Sequence, residues 1–130
     1  TLNINTLKKK HFFTNKNKKI LIESIPVQHG KIKSTCYLVN KKLAYASDIS
    51  SFFKKDYKKL MNLDYLIIDC LWYRNHSAHF NYDQILELAK VLSPKKTILT
   101  NMHSDLDYDQ LKKKLPKSII PGFDGMTIIL

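Results

Sequence analysis

Residues 65–100, YLIIDCLWYRNHSAHFNYDQILELAKVLSPKKTILT, decide the fold class of this chain. They begin with a continuous apolar run at 65–68 that leads into Asp69, which is typical of a strand covered on both faces. An apolar stripe at helical spacing follows from residue 85 to residue 92, and the β-branched run 96–100 predicts another strand. Strand, helix and strand in this order favour an α/β layer, with a mixed β-sheet and helices on one face.

The helix of this stretch has recognisable signals at both ends. Asn81 can act as its N-cap, with Gln84 three residues later, which is the spacing of a capping box. Ser93-Pro94 ends it, because proline has no backbone N–H with which to continue a helix. The apolar stripe consists of Ile85, Leu88, Ala89 and Leu92, widened by Leu86.

Upstream of this stretch the pattern is mainly that of strands. A first strand is predicted from residue 20 to Gln28-His29-Gly30, and two more at 35–39 and 42–46. Asn40-Lys41 suits a tight hairpin turn between the last two. Apolar residues at helical spacing then predict a helix over 52–61.

Downstream, a short helix is predicted around 107–115, stopping at Pro116. Gly122 and Gly125 bracket a turn, and 126–130 is predicted to be a last strand. Because no repeat or low-complexity linker divides the chain, we expect a single domain over 1–130. Residues 1–18 are expected to be an irregular or edge segment, and 19–130 a β-rich start followed by alternating strand and helix.

The net charge of +11 comes almost entirely from lysine, since only Arg74 among the 22 basic residues is arginine. Lysine runs such as 8–10 and 112–114 usually form a solvated surface, whereas specific readers of nucleic acid rely on arginine. We therefore expect no nucleic-acid partner. A basic surface that attracts a phosphorylated substrate stays open as an alternative.

Composition also indicates the compartment. No apolar run approaches the roughly 20 residues that span a bilayer, so no membrane partner is expected. Cys36 and Cys70 form no CxxC pair and are too few for a disulfide framework, so they are interpreted as reduced core thiols of a cytoplasmic protein. The chain starts at Thr1 without an initiator Met, and we expect it to be truncated or trimmed.

Histidines and aspartates stand where predicted strands end. His29 closes the first strand, Asp48 follows the strand at 42–46, and His103 follows the strand at 96–100. A single Asp at such a place usually makes a turn or a cap, but imidazole and carboxylate at three strand ends together suit zinc, manganese or iron. His76 and His79 lie in the loop after Asp69. The sequence separations between these residues fit no local ligand motif, so spacing alone leaves open whether they bind a metal or make turns and caps.

The stretch 25–130, about four-fifths of the chain, resembles the C-terminal half of metallo-β-lactamase-fold hydrolases. It is most similar to the phosphodiesterase branch that cleaves cyclic ribose phosphates in phosphonate degradation. The matching segments are short but keep the order and separations of the family: PVQHG at 26–30, LAYASD at 43–48, LIIDCL at 66–71, HSAHF at 76–80, LTNMHSDLDY at 99–108 and FDGM at 123–126.

The resemblance implies an αββα sandwich that holds two divalent metal ions, Zn or Mn, between its halves. His29, Asp48 and His103 resemble second-half metal ligands, with Asp48 bridging the two ions. Some branches place the last histidine directly after Leu-Thr, where this chain has Asn101, so that ligand position is open between Asn101 and His103. His79 resembles a histidine that contacts the substrate phosphate or protonates the leaving oxygen, and His76 has at most a supporting role on the substrate side.

The first-half ligand motif of the family, His-x-His-x-Asp-His, is absent from this chain. We therefore expect a metal-dependent phosphodiesterase of small phosphate esters that is incomplete here, with the isolated chain binding metal weakly and inactive. Its exposed apolar sheet face would be covered by a missing N-terminal half or by a homodimer partner. The alternatives are a non-catalytic half-domain acting as a subunit and, from charge alone, a basic nucleic-acid-binding module.

Overall fold

The computed structural model describes residue 6 and residues 8–130, so the first part of the predicted edge segment, residues 1–5 and 7, lies outside the described residues. The strands in this part of the chain are β1 (Lys10–Asn15), β2 (Lys18–His29), β3 (Ile32–Val39), β4 (Leu43–Ala46), β5 (Ser51–Phe52), β6 (Tyr65–Asp69), β7 (Lys96–Thr100) and β8 (Ile119–Pro121). The α-helices are α1 (Tyr57–Leu60), α2 (Tyr82–Leu92) and α3 (Tyr108–Lys114), and a 3₁₀ turn at Lys54–Asp56 precedes α1.

All eight strands belong to one mixed sheet, which confirms the predicted fold class. The order across the sheet is β1-β2-β3-β4-β6-β7-β8, and β5 pairs with β2. The first four strands are antiparallel neighbours, whereas β4, β6, β7 and β8 run parallel. Tight hairpins join the antiparallel part. At the predicted turn between β3 and β4, Asn40 and Lys41 both have positive φ, at 50° and 55°, as a two-residue hairpin turn requires.

Helix α2 has the ends that its sequence predicts. The side chain of Asn81 accepts a hydrogen bond from the backbone N–H of Gln84, and the Gln84 side chain accepts one from the backbone N–H of Asn81, both at 2.9 Å. This closes the capping box. Ser93 then adopts the left-handed conformation at φ 49° and ends the helix before Pro94.

The core lies on one face of the sheet, between the strands and the helices. Leu60 of α1, Leu92 of α2 and Leu111 of α3 are all fully buried in one apolar cluster. That cluster also contains the inward residues of the central strands: Ile25, Val27, Cys36, Leu38, Ala44, Ala46, Leu66, Ile68 and Leu99. Helices packed on one face of a mixed sheet are the predicted arrangement.

The opposite face of the sheet is less well covered. A transverse row of directly paired residues crosses it, in the order Ser24, Tyr37, Tyr45, Ile67, Ile98 and Ile120. Tyr37 and Tyr45 are 38% and 40% exposed, whereas Ile98 is buried. The surface formed by Tyr37, Tyr45 and Ile67 is called the open sheet face below.

Two of the predicted elements are wrong. The helix predicted over 52–61 is reduced to the 3₁₀ turn and α1, because Phe52 pairs with Val27 and thereby belongs to β5. The strand predicted over 126–130 is not formed. The parallel edge of β7 is taken instead by β8, which the sequence reading missed because it has three residues and includes a proline.

Both cysteines are free and buried, as predicted for core thiols. Burial raises the pKa of the Cys36 and Cys70 thiols to about 12. None of the helices in the described part of the chain combines the length and hydrophobicity that a bilayer crossing requires.

Candidate functional site

The strand ends that carry the predicted site residues meet at one edge of the sheet. Strand β2 is antiparallel to β3, and β3 to β4, so β2 points the same way as the parallel group β4, β6 and β7. His29 is the last residue of β2, and Asp69 is the last residue of β6. Asp48 stands two residues after β4, and Asn101 directly follows β7. Polar side chains at this edge are therefore close together although they are far apart in sequence.

Two of these residues, His29 and Asp48, form a compact cluster with His79 of the loop between β6 and α2. One ligand-type atom from each of His29, Asp48 and His79 lies within 4.8 Å of the other two. The rings of His29 and His79 are 4.7 Å apart between centroids and nearly perpendicular, at 76°. Both histidines are half-buried, and Asp48 is exposed. Two imidazoles and one carboxylate are donors suited to a transition-metal ion such as zinc.

A backbone carbonyl orients His29. Its Nδ1 lies 2.7 Å from the carbonyl oxygen of Ala78. A carbonyl oxygen can only accept, so Nδ1 carries the proton and Nε2 keeps its lone pair for a ligand. Gly30 permits this approach. A Cβ at Gly30 would lie 3.1 Å from the Cβ of Ala78, and its φ of +57° is a conformation that other residues rarely adopt.

His79 is oriented by Asp69. Its Nδ1 is hydrogen-bonded to the carboxylate of Asp69, whose side chain is completely buried. The same carboxylate accepts hydrogen bonds from the backbone N–H of Ile49 at 3.2 Å and from the Nδ2 of Asn101 at 3.4 Å. Burial raises the pKa of Asp69, and the hydrogen bonds from His79 and Ile49 oppose that rise. The arrangement leaves Nε2 of His79 as the free ring nitrogen.

Asp48 is held in a conformation that is costly for a residue with a side chain. Its φ is +50°. The residues that follow fix the backbone, since Ile49 is fully buried and donates to Asp69, and the N–H of Ser50 donates to the carbonyl of Gln28 at 2.7 Å. Backbone strain of this kind persists where the surrounding structure imposes it, commonly at functional sites.

The remaining predicted residues lie beside the cluster. The ring of His76 is 5.1 Å from that of His79, and its Nδ1 accepts a hydrogen bond from the N–H of Ala78 at 3.2 Å. His103 is not among the described residues that form the cluster. Its ring is 5.2 Å from Trp72, and its Nδ1 is 3.4 Å from the carboxylate of Asp105.

Some contributors to the site carry no readable signal in the sequence. Ala78 contributes only its backbone carbonyl, which accepts the hydrogen bond from His29. Asn101 is linked to the site by its hydrogen bond to Asp69. Asn101 also lines a cavity of about 430 Å³ that runs along the open sheet face, bounded by Ile67, Phe123 and Met126. Asp69 was recognisable as a carboxylate ending a buried strand, but nothing local indicated its hydrogen bond with His79.

Solved structures share this architecture. A diphosphatase of the PhnP family superposes with a TM-score of 0.81 at 28% identity, over 85% of this chain and 44% of its own. The metallo-β-lactamase fold protein YhfI from Bacillus subtilis gives a TM-score of 0.71 at 17% identity, over 92% of this chain and 53% of its own. Human tRNase Z, short form, gives a TM-score of 0.66 at 16% identity, over 93% of this chain and 46% of its own.

The chain thus spans about half the length of the solved structures that it matches. No protein-family profile matches the sequence. No curated protein matches it either. The structural matches confirm the resemblance to the C-terminal half of metallo-β-lactamase-fold proteins.

Proposed function

We propose that this chain, which has the metallo-β-lactamase fold, supplies one half of the active site of a metal-dependent hydrolase that acts on small phosphate esters. The observation that carries the proposal is the convergence of His29, Asp48 and His79 at one sheet edge, within 4.8 Å of one another. The similarity to a PhnP-family diphosphatase, at 28% identity, supports a phosphate compound as the substrate.

The residues of the cluster fit a divalent metal ion. His29 is fixed in the tautomer that leaves Nε2 free, and the exposed carboxylate of Asp48 can bridge between two ions. We propose that the complete enzyme holds two such ions, Zn or Mn, with the remaining ligands outside this chain and His103 as a third ligand within it. When bound, the ions supply Lewis acidity toward a phosphoryl oxygen and make hydroxide available near neutral pH.

In this proposal His79 acts on the leaving group. Its hydrogen bond to the buried carboxylate of Asp69 fixes the ring through Nδ1, so Nε2 is the nitrogen that would donate a proton to the departing alkoxide oxygen. His76, one ring away, contacts the substrate side. An aspartate–histidine pair also suits metal ligation, and the metal content of a His79 variant distinguishes the two roles.

A partner is proposed to complete the site. The open sheet face presents Tyr37 and Tyr45 to solvent, and the chain covers about half of its structural relatives. A preceding N-terminal half, or else a second copy of this chain, would cover that face and bring the missing ligands. The isolated chain is accordingly expected to bind metal weakly and to be inactive.

The test compares the chain alone with the chain extended N-terminally through its source gene. We expect the extended protein to hold about two metal ions per chain, to cleave bis(p-nitrophenyl) phosphate, and to lose both properties on Asp48→Ala. Asp109→Ala, which removes an exposed aspartate of α3, is the matched control and should change neither. If neither form binds metal and Asp48→Ala is silent, the half-domain is a non-catalytic subunit.

A further inference from the structure

A cavity of about 380 Å³ lies between β1, β2 and α1, away from the metal cluster. Glu23 of β2 lines this cavity, whereas His29, at the cluster, is the last residue of the same strand. Because a strand rises about 3.3 Å per residue, the two residues are about 20 Å apart along β2. The cavity is therefore separate from the candidate metal cluster. Its volume falls within the range of small-molecule sites, about 300–1,000 Å³.

Glu23 is more deeply buried than charged side chains usually are. Only 6% of its side chain is exposed. In the described part of the chain its ionic partners are Lys10 of β1 and Lys59 of α1, whose Nζ atoms both lie 3.9 Å from its Oε2. That distance is longer than a hydrogen bond. The carboxylate therefore keeps the capacity to accept hydrogen bonds from a molecule in the cavity, and such bonds would offset the cost of burying its charge.

The cavity carries more positive than negative charge. Among the described residues, four lysines line it beside the one carboxylate: Lys10, Lys41, Lys58 and Lys59. They come from β1, from the hairpin turn before β4 and from α1, and all four are exposed. Long exposed side chains from three elements can turn their ammonium groups toward one ligand. An excess of ammonium groups attracts an anion, and lysine is a common point-charge partner of phosphate.

The rest of the lining is apolar. Leu38 and Leu63 are buried, whereas Met61 is 44% exposed. Methionine is flexible and adapts its shape to what packs against it. A free inorganic anion would leave both this apolar wall and the Glu23 carboxylate without a partner. The lining therefore fits a molecule that has a carbon body and hydrogen-bond donors in addition to its anionic group.

From these features we propose that the cavity between β1, β2 and α1 binds an organic phosphate, a phosphomonoester whose organic part carries hydrogen-bond donors. The lysines hold the phosphate, Glu23 accepts hydrogen bonds from the organic part, and the carbon body lies against Leu38 and Met61. Hydroxyl groups of a polyol and N–H groups of a nucleobase both supply donors that a carboxylate accepts. This binding involves neither the metal cluster nor hydrolysis, so it stands apart from the proposed function.

The test is an NMR titration of the isotope-labelled chain in metal-free buffer, which both locates the ligand and measures its Kd. Three phosphomonoesters are compared. Glycerol 3-phosphate has hydroxyl donors, 2′,3′-dideoxyguanosine 5′-monophosphate has N–H donors, and methyl phosphate has no donor on its organic part. The backbone N–H signals of Leu38, Lys41 and residues 58–63 report on the cavity, and those of Asp48 and His79 report on the metal cluster.

Three variants separate the contributions. Glu23→Leu removes the acceptor, a change of a buried charge to an apolar group of similar size that proteins often tolerate. Lys58→Ala removes an exposed lysine of the cavity other than the two ion-pair partners of Glu23, so its folding is not at risk. Lys112→Ala removes an exposed lysine of α3 and is the matched control.

We expect the cavity signals to shift, and one donor-bearing probe to bind about ten-fold or more tightly than methyl phosphate, the effect of hydrogen bonds to a charged group. The probe that does so identifies which kind of donor the site accepts. Glu23→Leu should abolish this preference without weakening methyl phosphate, because it removes a negative charge. Lys58→Ala should weaken all three probes by about two- to five-fold, and Lys112→Ala should weaken none.

Three results would each overturn the proposal. The first is a wild-type chain whose cavity signals do not respond, or respond less than those of Asp48 and His79. The second is equal binding of all three probes, since Glu23 would then contact no ligand. The third is a loss in Lys58→Ala that does not exceed the loss in Lys112→Ala.

Discussion

At the scale of single residues, the site depends on hydrogen bonds that fix each ring. His29 is held by the Ala78 carbonyl and His79 by the buried carboxylate of Asp69. The two contacts differ in kind. One acceptor is a neutral backbone carbonyl and the other is a buried carboxylate, and we propose His29 as a metal ligand and His79 as the residue that acts on the leaving group.

This assignment predicts different effects for two conservative changes. In the extended protein, Asp69→Asn should lower kcat by about 10²-fold or more, because an amide does not hold the proton of His79 on Nδ1 as a carboxylate does. Metal content should stay unchanged if His79 is not a ligand. His29→Ala, in contrast, should lower metal content first. Metal analysis beside steady-state kinetics checks both, and a joint loss of metal in Asp69→Asn and His79→Ala would make His79 a ligand.

Gly122 provides a residue-scale prediction about stability. Its N–H donates to the carbonyl of Leu99 at 2.9 Å, and a Cβ at this position would lie only 2.7 Å from that same oxygen. Gly122→Ala should therefore lower the free energy of unfolding by about 1–3 kcal/mol, as overpacking does. Gly125→Ala is the comparison. Its Cβ meets nothing within 4 Å, and only the left-handed φ of +87° opposes it. Urea denaturation measures both, and equal losses would contradict the clash.

At the scale of elements, α2 positions the loop that carries His76 and His79. Its N-cap Asn81 is also the residue that forms a bridge with Trp72, so the start of the helix and the beginning of the loop are fixed together. The three-residue strand β8 has a comparable role for β7, because its pairing holds the edge next to Asn101. Local signals predict the first of these elements and miss the second.

Removing the cap of α2 should cost more than removing a cap elsewhere. Asn81→Ala loses the side-chain bond from the N–H of Gln84 and the bond from its own Nδ2 to Asn75, whereas the backbone half of the capping box remains, and it should destabilise the chain by about 1–2 kcal/mol. Asp107→Ala at the N-cap of α3 loses a single side-chain bond, from the N–H of Gln110 at 2.9 Å, and should cost less. Denaturant unfolding of the two variants makes the comparison. A smaller loss for Asn81→Ala would show that α2 is fixed by its packing alone.

At the scale of the whole molecule, the helices cover one face of the sheet and leave the other partly open. Among the described residues, the core face carries 22 buried apolar residues in one cluster, whereas the open sheet face exposes two tyrosines in the middle of the sheet. An apolar face of this kind favours association with another surface.

We therefore predict that the chain alone self-associates through the open sheet face. Sedimentation velocity should show a concentration-dependent increase in mass, and the double variant Tyr37→Lys with Tyr45→Lys should shift the chain toward monomer. Val91→Lys changes an apolar residue of α2 that is 52% exposed and lies away from this face, and it should leave the association unchanged. A wild-type chain that stays monomeric at high concentration would contradict the prediction.

The two thiols report on global unfolding. With pKa values raised to about 12, only about one thiol in ten thousand is ionised at pH 8, and both side chains are buried. Alkylation of Cys36 and Cys70 by iodoacetamide should therefore proceed at the rate at which the chain opens, and should accelerate in urea together with the loss of circular dichroism. Fast labelling of either cysteine under native conditions would show local opening of its strand.

The features that depend on local periodicity were predictable from the amino-acid sequence. The mixed sheet, the limits of α2 with its capping box, and the hairpin at Asn40-Lys41 follow from apolar spacing and turn chemistry, since each signal lies within a few neighbouring residues. The presence of His29, Asp48 and His79 at strand ends or loops was equally visible in the sequence.

Which of these residues contact one another depends on the three-dimensional fold. Strand register brings the strand ends that carry His29 and Asp48 together, because neighbouring strands align their ends regardless of sequence separation. The loop after β6 then brings a ligand-type atom of His79 within 4.8 Å of theirs, and the ring of His103 lies against Trp72 instead. The contacts of His29 with a backbone carbonyl and of His79 with Asp69 have no local signature. They arise from the packing of the loops at the sheet edge, and packing is a property of the whole chain.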